Sequence, residues 1–162
     1  MKVNIRVIEL IDDPYRSDAY SWTTPSGYYA VMLLHGPVVF PLAVYNCRYS
    51  GVYIWVFHPD LQAMSLSVDH CSGGFICLFK PADASPGVHR ALSALAIDAN
   101  DNNRVIRVNK RHHALIRDVC KRMAKETDSD YVFRDLLIQN YLLQIMHYIL
   151  KQKGARPDSD HE

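Results

Sequence analysis

The stretch "GVYIWVFHPDL", Gly51 to Leu61, sets six β-favouring residues in a row and stops them at His58-Pro59-Asp60. Val52 through Phe57 are all β-branched or aromatic, and period two places Tyr53, Trp55 and Phe57 on one face and Ile54 and Val56 on the other. Both faces are apolar, so the strand is expected to be buried on both sides. Pro59 cannot donate to a ladder and biases His58 away from the helical region, while Asp60 is placed to cap a short helical turn from Leu61.

Working outward, 162 residues with 49% hydrophobic composition suit one globular domain with a sizeable core. Lys and Arg total 18 against 17 Asp and Glu, and a net charge of +1 supplies no general attraction to nucleic acid or an acidic membrane surface. No run of about 18 apolar residues is present, and "MKVNIRVIEL" interrupts its apolar residues with Asn4, Arg6 and Glu9, unlike the core of a signal peptide. A soluble, cytoplasmic protein without membrane contact is the expectation. Cys47, Cys71, Cys77 and Cys120 form no C-x-x-C pair, which favours reduced, packed thiols.

Strand signals dominate residues 1–108. Residues 3–10, 28–34, 38–45 and 53–57 are apolar or alternating runs bounded by Gly, Pro, Asn or Asp, which predicts an antiparallel sheet or barrel. The following segment, punctuated by Gly73-Gly74, Pro81 and Pro86, reads as irregular up to a last short strand at residues 104–108. Residues 109–153 then change period and form a helical part, and residues 154–162 read as a disordered tail, the whole making one structural domain. Asn109 is placed to cap the first helix, which carries Leu115, Ile116, Val119 and Met123 on one side. Its Lys and Arg residues, between Lys110 and Lys125, lack interleaved aromatics and read as a solvated face.

The second helix, starting at Asp128 or Asp130, has two adjacent apolar stripes at 100° per residue. Ile138, Leu142, Ile145 and Ile149 form one, expected to stay inside. Val132, Leu136, Leu143, Met146 and Leu150 form the other, which either packs in the same chain's core or, the preferred expectation, meets a second copy of the chain as a homodimer interface.

Catalytic and metal chemistry find little support. His35, His58 and His70 stand singly beside Gly, Pro or Asp, and the adjacent pair His112-His113 diverges on a helix, so no metal site and no cofactor are expected. No dinucleotide, P-loop or zinc-hydrolase motif occurs, and no nucleophile sits in a recognisable turn, so no catalytic residue is assigned and the chain is read as a non-enzyme. The suggestive feature is aromatic. Tyr20, Trp22, Tyr29, Tyr53, Trp55 and Phe57 lie on strands or their margins, where they either fill a core or line the mouth of a site for a small ligand such as a sugar or an aromatic effector.

The order of these pieces resembles the N-terminal regulatory domain of AraC-type transcription regulators. The matching elements are "DDPYRSDAYS" from Asp12 to Ser21, the strand leading to Phe57-His58-Pro59-Asp60, "NRVIRVNKRHHALIRDVCKRMAKET", and "DYVFRDLLIQNYLLQIMHYILKQ". The resemblance covers about residues 12–152 and implies an α+β fold, a cupin-like antiparallel barrel followed by an antiparallel pair of dimerising helices. Tyr15 stands where a His is common in the family, and only residues 22–50 lie between the opening motif and the last barrel strand, so the barrel is expected to be shortened. The resemblance also implies a ligand-sensing and dimerisation role, with DNA reached only through a helix-turn-helix domain that these residues do not contain. The alternative is a stand-alone cupin-type small-molecule-binding protein or metal-dependent enzyme.

Overall fold

The computed structural model describes residues 4–10, 20–23, 27–35, 38–42, 45–49, 51–59, 65–68, 73–95 and 103–154. Its elements, in chain order, are β1 (Arg6–Leu10), β2 (Tyr20–Thr23), β3 (Tyr29–His35), β4 (Val38–Leu42), β5 (Tyr45–Tyr49), β6 (Val52–Phe57), β7 (Ser65–Val68) and β8 (Gly74–Phe79). Then follow α1 (Pro86–Ala94), β9 (Asn103–Arg107), α2 (Lys110–Thr127) and α3 (Arg134–Gly154). The fold is α+β. One sheet runs β1-β8-β3-β6-β9 and a second runs β2-β7-β4-β5, all pairings antiparallel. Strands β1 to β8 thus divide between two sheets in the order of a jelly roll, with β9 added beside β6.

The decisive strand behaves as its pattern dictates. Ile54 and Val56 join the core shared with the helices, whereas Trp55 and Phe57 join a separate apolar cluster on the opposite face. Register extends this division across the sheet: Leu78, Ala30 and Phe57 stand in one row and Ile76, Met32 and Trp55 in the next, all buried on the side away from the helices. On the helix side, Cys77, Val31 and Val56 form the corresponding row. A sheet covered on both faces requires continuous apolar strands, and β6 and β8 are such strands.

Among the described residues the β half has eight strands of four to seven residues, β1 to β8, divided between the two sheets. One segment differs from the sequence reading. The segment read as irregular supplies β8, the strand between β1 and β3, where a Cβ on Gly74 would run into the Leu33 carbonyl oxygen and only glycine permits the approach. The same segment supplies α1, whose start follows the rule for helix N-termini: the Ser85 hydroxyl accepts from the Val88 amide at 3.3 Å and Pro86 fills the first helical position.

Asn109 caps α2 as its sequence position dictates, its Oδ1 accepting from the His112 amide at 2.9 Å. The ring of His112, at the start of α2, lies 6.4 Å from that of Tyr148 near the end of α3, so the two helices run antiparallel. Helix α3 begins later than its sequence suggests. Ser129 Oγ accepts from the Tyr131 amide at 3.0 Å and the Tyr131 carbonyl accepts from the Arg134 amide, so Tyr131 to Phe133 form a turn ahead of the helix. No helix among the described residues is long and apolar enough to cross a membrane. The helical turn expected from Asp60, most of the opening motif, and Cys71 lie outside the described residues.

Candidate functional site

The aromatic candidates divide between two faces. Tyr53, Trp55 and Phe57 share the face turned away from the helices; the Tyr53 and Trp55 rings lie 5.6 Å apart, and Met32 and Ala30 stand directly beside Trp55 and Phe57. Trp55 is 1% exposed, so its indole is a packed member of this layer. Tyr29 corrects the sequence reading. It precedes the register position of Ala30 and therefore points to the helix side, where it stacks on Phe79 at 5.3 Å and meets the His58 ring edge-on at 5.5 Å. It cannot line one site together with Trp55. Tyr20 and Trp22 lie on β2, paired with Val68 and Leu66, and of their side chains nothing is described.

The stripe expected at a dimer seam is also divided. Met146 is fully buried within the chain, because α1 packs across this side of α3; it belongs to the core and not to a surface. Leu143 and Leu150 are half-buried against the same core. Gln139 Nε2 donates to the Asp83 carbonyl at 3.1 Å, tying the turn before α1 to α3 as well. Leu136 and Val132 remain at the surface, 59% and 88% exposed, the latter in the turn ahead of the helix. Tyr131 and Phe133, in edge contact at 5.8 Å, extend this uncovered apolar surface. Helix α1, announced in the sequence only by Ser85-Pro86, supplies the second packing partner that the width of α3 demands.

Titratable groups cluster in two places. The rings of His35, at the end of β3, and His113, on α2, lie 5.8 Å apart. Burial, then the neighbouring His35 and Arg117 charges, hold His113 below the ordinary imidazole value. Cys77 on β8 and Cys120 on α2 are buried together between sheet and helix, and the hydrogen bond to Cys77, followed by burial, pushes the Cys120 thiol well up. Among the described residues no three His, Cys, Asp or Glu side chains are grouped to hold a metal ion.

The arrangement is that of an α+β domain with a two-sheet β half and a helical layer against one sheet. Solved structures of this form include ToxT of Vibrio cholerae. Apo ToxT K231A from strain SCE256 matches with a TM-score of 0.54 at 11% identity, over 93% of this chain and 56% of that one. Two further ToxT structures, a 1.65 Å P21 form and one from strain O395, match with TM-scores of 0.48 and 0.46, each at 11% identity, over 99% and 97% of this chain. The chain spans 56%, 61% and 58% of the three solved chains. No protein-family model and no curated protein matches.

Proposed function

We propose that this chain is the regulatory domain of an AraC-type transcription regulator, a cupin-like barrel that senses a small molecule and dimerises through its helical layer. The observation that carries this reading is the extent of the fold match: nearly the whole chain superimposes on little more than half of ToxT, an AraC-family regulator. The chain's own order, a β half followed by the antiparallel helices α2 and α3, agrees with the sequence resemblance. DNA would be reached through a separate domain, and no catalytic role is assigned.

Effector binding belongs on the face of Tyr53, Trp55 and Phe57, with Tyr20 and Trp22 as further candidates. Homodimerisation belongs on Leu136 and Val132, the members of the α3 stripe that α1 leaves uncovered. A thermal-shift screen against sugars and aromatic metabolites tests the sensing role. A ligand that stabilises the wild type and stabilises Trp55→Phe less supports it; the absence of any stabilising ligand, or a ligand that ignores the Trp55 change, removes this face from the site.

A further inference from the structure

Strand β1 ends its sheet, and among the described residues it pairs only with β8. Among the described residues nothing pairs with the alternate N–H and C=O groups on the outer side of β1, which form a template for another strand. Helix α2 runs beside that edge. Its Ile116, Val119, Cys120 and Met123 face the core, while Lys121, Ala124 and Lys125 line an open groove with Val7 and Glu9 of β1. The groove is open to solvent and offers about 560 Å³, room for several residues of extended chain, with Asp128 also in its lining.

The lining is selective. Val7 and Ala124 are half-buried and give an apolar floor, and the small Ala124 leaves room between helix and strand. Lys121, Lys125 and Glu9 are exposed, and among the described residues no ion pair holds any of them. The two lysines are one helical turn apart, a rise of about 6 Å. Same-side residues of an extended strand repeat every ~6.6 Å, so carboxylates at positions i and i+2 of a strand would meet both ammonium groups. Glu9 and Asp128 oppose a ligand that carries only negative charge, which favours acidic residues set among neutral or basic ones.

We propose that the groove between β1 and α2 docks an extended peptide segment, which adds to β1 as a further strand and sets alternate carboxylates against Lys121 and Lys125. This is strand addition to a sheet edge walled by a helix, with backbone hydrogen bonds supplying affinity and the lysines supplying choice.

The test is selection of a phage-displayed random heptapeptide library on the full 162-residue protein. Enriched peptides should carry acidic residues two positions apart. A fluorescein-labelled representative should bind Lys121→Glu/Lys125→Glu, and the milder Lys121→Ala/Lys125→Ala, at least about ten-fold more weakly, the loss of two charge-assisted contacts. In the bound wild type the amides of residues 6–10 should shift and exchange more slowly with solvent. Failure to enrich any peptide, equal binding to both folded double variants, or protection mapping away from β1 would overturn the proposal. So would a free dicarboxylate such as glutarate that moves the lysine signals while enriched peptides leave the β1 amides unprotected.

Discussion

Gly87 of α1 lies flat against Leu143 of α3, so close that a Cβ at position 87 would stand 3.1 Å from a Leu143 methyl. The contact fixes α1 across the middle of α3 and turns half of an apparent surface stripe into core. Gly87→Leu should lift α1 from α3, and overpacking of this kind costs about 1–3 kcal/mol. Leu143→Glu should also destabilise the fold, since the carboxylate would be forced under α1. Thermal melts followed by circular dichroism check both; unchanged melting of Gly87→Leu would mean that α1 does not rest there.

Trp55 should behave as a structural member of its sheet even if it also touches a ligand. Its near-complete burial in one apolar layer with Met32 and Ile76 predicts that Trp55→Ala costs about 3–5 kcal/mol, while Trp55→Phe folds with a smaller loss. Denaturant unfolding measures the difference. An alanine variant as stable as wild type would place the indole outside the core.

The buried thiols should be inert in the native state. With the Cys120 pKa raised, its thiolate is scarce near neutral pH, and alkylation of Cys77 and Cys120 should proceed only on unfolding. The same shift sets a pH dependence. The folded state retains the Cys120 proton after the unfolded chain has lost it, so stability is intact below the ordinary thiol range and falls as pH rises beyond about 8.5. Equilibrium unfolding of wild type and Cys120→Ala from pH 7 to 10 checks the sign, with a flatter profile expected in the variant.

His113 works in the opposite window. Its depressed pKa means that the unfolded chain takes up a proton first, so stability is full above about pH 6.5 and declines as pH falls toward the lower folded value. His35→Gln removes one repelling charge and should weaken this acid sensitivity. Unfolding profiles between pH 5 and 8 for the two proteins give the comparison; identical slopes would exclude His35 as a contributor and leave burial as the cause.

How much was legible in the sequence depended on whether a local signal matched its surroundings. Period two in Val52 to Phe57 predicted both buried faces because the strand has neighbours on each side and layers above and below. Asn109 predicted a helix start because capping is decided within three residues. The stretch from Gly74 to Phe79 carries an equally apolar run, yet its flanking glycines and Pro81 suggested irregular chain. Only the close approach to Leu33 explains why glycine is needed there. Tyr29 and Met146 take places that their own segments do not specify. Which face a residue takes across a sheet, and which neighbour covers a helix, are tertiary facts that periodicity within one segment does not encode.

The dimer is the part of the regulatory reading open to the most direct measurement, and Leu136 is the residue to use because it is on α3, apolar and 59% exposed in the single chain. Placing a charge in a two-fold seam sets it against its own copy without a partner, while at an uncovered surface position it leaves the monomer fold intact. Sedimentation velocity of wild type and Leu136→Glu at tens of micromolar, with circular dichroism as a check on folding, should give a wild-type dimer and a folded monomeric variant. A monomeric wild type, or a variant that stays dimeric, would contradict the account.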